Sequence, residues 1–184
     1  DGTRILCYTN RVVENLVPHA RRAVHGEMAD QYQFLPGEIL ISRKPVMVQS
    51  SADGSDSDEE PGMLIGSNRE MVVVDVLPGT FDLSSLGNPG NHEIDLPQID
   101  TLIAKVQCEQ KELEIRVLPA AGSKSRKELE FALNNLSSQA KVVEKKSSAF
   151  LWRLFFSIKD SFASLGPASV LTVHRSQGST FDQV

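Results

Sequence analysis

The sequence predicts an α/β domain that is interrupted by an inserted, β-rich segment. Residues 4–26 have the pattern of a strand followed by a helix, and residues 125–173 have the pattern of helices followed by a strand. Between them, residues 34–119 contain short apolar runs separated by Gly, Pro and Asn, which is typical of strands and turns. The simplest topology for this order is one α/β domain whose chain leaves it, forms a small β-barrel and returns.

Size and composition favour a globular chain. With 184 residues, 40% of them hydrophobic, the protein can build a core. No apolar run reaches the ~20 residues that cross a bilayer, and the N-terminus lacks a signal-peptide pattern. Cys7 and Cys108 are far apart in strand-like segments, which indicates two reduced thiols. We therefore expect a cytoplasmic protein without a membrane partner.

The net charge of −5 does not exclude nucleic acid as a ligand. Five acidic residues and no basic residue lie between Ser50 and Gly62, and without them the remaining 19 acidic residues equal the 19 basic ones. A neutral body can hold a basic cleft. Residues 50–62 are too polar to bury much apolar surface, so we expect an exposed acidic loop, with a second surface loop at residues 84–92.

The elements are predicted in order from their periodicity. A strand at residues 4–8 precedes a helix that Thr9 or Asn10 caps and Gly26 closes. Strands follow at residues 38–48, 63–77, 101–107 and 112–118. Residues 125–164 are helical with a joint at 145–148, Gly166 and Pro167 stop the helix, and residues 168–173 form the last strand.

The last thirteen residues, TVHRSQGSTFDQV from Thr172 to Val184, contain the strongest chemical signal. They place hydroxyl, imidazole, guanidinium and amide groups at the carboxyl end of a predicted parallel strand, where open α/β sheets bind ligands. Such donors suit phosphate oxygens. On this chemistry alone, an anion-binding turn and an ordinary capped strand end are about equally favoured.

Residues 171–182, LTVHRSQGSTFD, closely resemble motif V of superfamily 1B DNA helicases of the RecD and Dda type, in their UvrD-like C-terminal region. Residues 6–13, LCYTNRVV, are similar to the motif called IVa in the same enzymes. The resemblance implies a partial RecA-like parallel-sheet domain, 2A, interrupted by an SH3-like β-barrel, 2B. It divides the chain into residues 1–34 of domain 2A, residues 35–120 of the barrel, and residues 121–184 of the return segment.

The resemblance also implies the site residues and the ligands. A single-stranded DNA site would use seven residues: Tyr8, Thr9, Asn10, Thr172, His174, Arg175 and Ser176. Gln177 and Gly178 would face ATP at the cleft with an upstream N-terminal RecA-like ATPase domain of the same chain. ATP and Mg²⁺ would then be cofactors of the full-length helicase, which would move 5′ to 3′ and serve DNA repair or recombination.

The sequence lacks two parts of a complete helicase. Residues 122–125, GSKS, do not form a phosphate-binding loop, and no apolar strand ends in an Asp-Glu pair that would hold magnesium. We therefore expect no catalytic residue, bound cofactor or metal site, and no ATPase or unwinding activity, in these 184 residues alone. The alternative is a non-catalytic interaction module in which the barrel and its acidic loop bind a protein partner.

Two further groups of residues are each open to two interpretations, contact with nucleic acid or a structural role. The aromatic residues of the second predicted helix could stack on bases, although a helix that packs its apolar stripe into a core is favoured; they are Trp152, Phe155, Phe156 and Phe162. Arg43, Lys44 and Arg69 could contact DNA or be solvated charges at strand edges.

Overall fold

A computed structural model describes residues 3–48, 62–87 and 94–176. Nine strands and five helices follow in this order: β1 (Ile5–Cys7), α1 (Asn10–His25), α2 (Met28–Gln31), β2 (Ile39–Ser42), β3 (Val46–Met47), β4 (Met63–Ile65), β5 (Glu70–Asp82), a 3-10 helix (Leu83–Leu86), β6 (Gln98–Cys108), β7 (Lys111–Val117), α3 (Lys124–Val142), α4 (Lys145–Asp160), β8 (Leu165–Pro167), β9 (Val170–Thr172) and α5 (Val173–Ser176). No described helix has both the length and the apolar character that crossing a membrane requires.

The first and last strands are neighbours in a parallel pair. The register places Cys7 opposite Thr172 and Ile5 opposite Val170. Ile41, Ala168 and Leu171 form a small buried cluster, against which Leu6 and Ile39 pack. The first and last described strands, from the two parts of the chain assigned to the α/β domain, therefore lie in one sheet. In the described residues this sheet has two strands only, so the larger parallel sheet of a RecA-like domain is not seen.

Helix α1 begins and ends where its capping residues predict. The Thr9 Oγ1 atom accepts a hydrogen bond from the Val12 amide at 3.4 Å, which satisfies one of the free donors of the first turn. Gly26 ends the helix with a φ of 63°, a conformation that a glycine adopts without strain.

The β-rich segment supplies four strands of an open five-stranded sheet in the order β7-β6-β5-β2-β8, and the return segment supplies the fifth, β8. Strands β3 and β4 form a separate antiparallel pair. Among the described residues, the edge strands β7 and β8 do not pair, and a single parallel bridge joins Val117 to Ala163. In the described residues, the strands therefore do not close into the small barrel that the sequence predicted. Strands β3 and β4 pair with each other and do not join β7 to β8 in the described residues. Their residues Val46 and Ile65 nevertheless pack into the core of the five-stranded sheet.

Several predicted segments differ in their limits, among them the strand expected at residues 38–48, which is two strands, β2 and β3. The strand expected at residues 63–77 is two strands, because a turn with Asn68 at a φ of 59° separates β4 from β5. Gly166 and Pro167 do not stop a helix, because α4 ends at Asp160 and β8 already contains them. The predicted joint between α3 and α4 lies slightly earlier, at residues 143–144.

A second core lies where the long hairpin of β5 and β6 extends toward the helices. Phe81 and Ile99 from the strands pack with Leu136, Ile158 and Phe162. The rings of Phe81 and Phe162 meet edge to face, with centroids 5.7 Å apart. Of the four aromatic residues that the sequence favoured as core, Trp152, Phe155 and Phe162 pack in this cluster, whereas Phe156 is 51% exposed.

Both cysteines are free thiols. Cys7 is buried in β1, and Cys108 is partly buried at the end of β6. Desolvation by burial is the main reason why the pKa of Cys108 is raised, and the nearby Glu109 carboxylate raises it further while Arg69 lowers it.

Candidate nucleic-acid interface

A cleft of about 190 Å³ lies where the two ends of the chain meet. It is bounded by the first turns of α1, by β8, β9 and α5, and by the end of β2. The described lining residues with polar side chains are Asn10, Glu14, Arg43, Thr172 and Arg175. The cleft therefore brings Asn10, Thr172 and Arg175, three of the predicted DNA-binding residues, to one place.

The residues before α1 are open to solvent. Tyr8 is 84% exposed, and Thr9 and Asn10 are also exposed. The Thr9 hydroxyl oxygen accepts the capping hydrogen bond from Val12. A hydroxyl also carries one proton that it can donate, so this capping role leaves Thr9 able to donate to a phosphate oxygen.

Thr172 at the end of β9 and the residues of α5 that follow it differ in how accessible they are. Thr172 is only 7% exposed, so its side chain can contact only a ligand that enters the cleft. His174 is exposed, and Arg175 is half-buried. The Ser176 hydroxyl donates to the Val173 carbonyl oxygen at 2.7 Å, so its proton is already used within α5. His174 and Arg175 are thus the better-placed donors on this side.

Arg43 adds a positive charge that comes from the β-rich segment. It follows β2, and its backbone N–H donates to the Ser164 carbonyl oxygen at 2.8 Å. Desolvation lowers the pKa of the Arg43 guanidinium, the charge of Arg175 lowers it further, and Glu14 has the opposite effect. The sequence alone left Arg43 equally open to DNA contact and to a solvated strand edge; the structure places it in the cleft beside Arg175.

Glu14 and Gly166 are parts of this region for which the sequence predicted no role in ligand binding. Glu14 shares the helical spacing of many surface residues, so nothing in the pattern marks it. Gly166 was interpreted as a helix stop. Gln177 and Gly178, the predicted ATP-facing residues, lie outside the described residues, as does the acidic loop.

Two of the larger clefts in the described residues have mostly different linings. One of about 350 Å³ is lined by apolar and charged side chains of the turn before β3, of α3 and of the residues around the end of α4, among them Lys44, Leu129 and Phe162. The other, of about 300 Å³, lies beside Arg4, Arg21 and Glu38. In the described part of the chain, no group of three or more His, Cys, Asp or Glu side chains is arranged to hold a metal ion.

A family model matches the β-rich segment and the two helices that follow it. The profile of the family described as Dda helicase SH3 domain matches residues 31–167, which is more than half of the chain. The match covers all strands from β2 to β8 and both long helices, α3 and α4. A search of curated proteins finds no match. The chain therefore belongs to the Dda helicase SH3 domain family.

Proposed function

We propose that this chain is the part of an ATP-dependent DNA helicase that holds single-stranded DNA. The observation that carries the proposal is the parallel pairing of β1 with β9, which puts the start of α1 and the residues after β9 on one cleft with two arginines. The family supports a relation to a helicase. The DNA contact itself is the proposed step.

The side chains around the cleft suit a ligand with a phosphate backbone. Guanidinium, imidazole and amide groups hold phosphate oxygens without regard to base sequence, as a protein that moves along DNA requires. Tyr8, which is exposed beside them, offers an aromatic face on which a base can stack. We assign the backbone contacts to Asn10, His174 and Arg175, with Thr9, Thr172 and Ser176 in supporting positions.

ATP and Mg²⁺ belong to the full-length helicase in this proposal. An N-terminal RecA-like ATPase domain of the same chain supplies the phosphate-binding loop, and Gln177 and Gly178 face that domain. Nucleotide state and DNA grip are then coupled because both ligands contact residues that follow β9. The 184 residues alone do not hydrolyse ATP, and the protein works in the reducing cytoplasm, which suits its two free thiols.

A binding titration tests the DNA contact. We expect the chain to bind a fluorescent oligothymidylate weakly and in a salt-dependent manner. Asn10→Ala and His174→Ala should each weaken binding by about five- to tenfold, because each removes a donor to a charged oxygen. Fluorescence anisotropy at two salt concentrations measures the affinity.

Matched controls separate a local contact from a general effect. Asn134→Ala on α3 and His19→Ala on α1 remove the same groups from exposed positions that lie neither at the start of α1 nor next to β9, and both should bind like the parent. If Asn10→Ala and His174→Ala also bind like the parent, the proposed DNA site is wrong. The interaction module would then be the better account of the chain.

A further inference from the structure

The guanidinium of Arg43 lies directly against the backbone of Gly166. A Cβ atom added at Gly166 would lie 2.5 Å from the Nε atom and 2.6 Å from the Nη2 atom of Arg43, closer than nonbonded atoms approach. Gly166 lies in β8, which pairs with β2 immediately before Arg43. The absence of a side chain at residue 166 therefore lets the Arg43 guanidinium occupy its position.

Arg43 and Arg175 are two like charges that line the same cleft without a matching pair of acids. Within residues 3–48, 62–87 and 94–176, neither guanidinium has a carboxylate oxygen within 4.0 Å. Glu14 is the one acidic residue among the described residues that line the cleft. Arg175 opposes the charged form of Arg43, and Glu14 favours it. Counting the described lining residues, the cleft thus carries an excess of positive charge.

An anion with several oxygen atoms would relieve this repulsion. Arginine binds phosphate through two parallel N–H donors, and two guanidiniums can share the oxygens of one phosphate. At about 190 Å³ the cleft has room for several water molecules of ~30 Å³ each, and therefore for one phosphate group. The Asn10 side-chain amide, which also lines the cleft, adds neutral donors.

We infer that Arg43 and Arg175 together bind one phosphate group, with Gly166 as the surface on which the Arg43 guanidinium rests. This inference rests on the proposed function. It adds Arg43, which lies in the segment that the SH3 domain family matches. The β-rich insertion and the two chain ends would then hold the same ligand. The phosphate comes either from the backbone of single-stranded DNA or from a nucleotide, and binding to each distinguishes the two sources.

The test compares Arg43→Ala with Lys44→Ala. Both variants lose one positive charge at adjacent exposed positions, but Lys44 lines a different cleft. We expect Arg43→Ala to weaken oligothymidylate binding about tenfold and to reduce the slope of log affinity against log salt by at most about 0.7, the value for one phosphate contact on a single strand, because Arg175 still contacts the phosphate. Lys44→Ala should change the affinity and the salt slope by much less than Arg43→Ala does.

Gly166→Ala tests the position of the guanidinium without changing charge. The new Cβ would displace the Arg43 guanidinium, so we expect weaker binding with Arg43 still present. Arg175→Ala should weaken binding as Arg43→Ala does, and the double variant should lose less than the product of the two effects because both contact one phosphate. Thermal unfolding of each variant shows whether it remains folded.

The ligand source follows from repeating the titration with ATP. Losses specific to Arg43→Ala and Arg175→Ala with the oligonucleotide assign the phosphate to DNA, whereas losses with ATP alone support the phosphate site and assign it to the nucleotide. If the parent binds the oligonucleotide and Asn10→Ala weakens it, while Arg43→Ala and Lys44→Ala behave alike with both ligands, the inference is overturned and the proposed function stands. A parent that binds neither ligand overturns both.

Discussion

Replacing Glu38 by alanine should lower the free energy of unfolding by about 3–5 kcal/mol, because it leaves a buried guanidinium without its charge partner. Glu38 is 4% exposed and Arg21 is 11% exposed. The Arg21 Nε and Nη2 atoms donate to the two Glu38 carboxylate oxygens at 2.6 and 3.0 Å. The same carboxylate accepts from the Leu35 amide at 3.1 Å, which the substitution also leaves unpaired.

This ion pair joins the helix that carries Asn10 to the start of the β-rich segment. Arg21 lies on α1, Glu38 directly precedes β2, and Arg21 also donates to the Ala29 and Tyr32 carbonyl oxygens at 2.9 and 3.1 Å. Its loss should therefore loosen α1 as well as destabilise the fold. Urea unfolding followed by circular dichroism measures the change.

Arg22→Ala is the matched control, because the neighbouring arginine forms its ion pair with Asp30 at the surface. Exposed pairs contribute about 0–1 kcal/mol, so this variant should unfold close to the parent. Equal losses in Glu38→Ala and Arg22→Ala would contradict the buried role that we assign to the Arg21–Glu38 pair.

Ile158→Ala should cost about 2–5 kcal/mol of stability, since it creates a cavity in the second core. Ile158 is fully buried on α4, where it packs in the same cluster as Leu136 of α3 and Ile99 of β6. Phe131→Ala on α3 removes a larger side chain that is 64% exposed, and it should change stability by no more than about 0.5 kcal/mol.

The comparison tests whether the two helices belong to the same cooperative unit as the sheet. If they do, circular dichroism and the fluorescence of Trp152, which packs against this core, should report one transition that shifts in Ile158→Ala. A separate early transition for the helices, with the sheet unaffected, would show that α3 and α4 fold apart from the hairpin of β5 and β6.

Local chemistry predicted the parts of the fold that depend on neighbouring residues. Thr9 and Gly26 determine the ends of α1 through a capping hydrogen bond and a positive φ, and both effects can be inferred from the residue types. The apolar runs around Leu6 and Leu171 likewise indicated two strands. Their pairing was expected from the resemblance to helicase motifs, because periodicity alone does not select a strand's partner.

Features that depend on distant contacts could not be predicted in this way. Closure of a barrel depends on which strands pair, and β3 pairs with β4 instead of extending the five-stranded sheet. Gly166 and Pro167 have the composition of a helix stop, yet β8 pairs with β2. The approach of Arg43 to Gly166 joins residues far apart in the chain, so no spacing rule indicates it.

Photochemical cross-linking of a single-stranded oligonucleotide that carries 5-iodouracil tests the central claim most directly, because it reports where the strand lies. We predict adducts on the tryptic peptides of residues 5–11 and 160–175, which contain the exposed Tyr8 and His174 and come from opposite ends of the chain. Excess unlabelled oligonucleotide should suppress both adducts together. Adducts confined to the peptide of residues 128–141, which contains the exposed Phe131, would contradict a grip formed by the two chain ends.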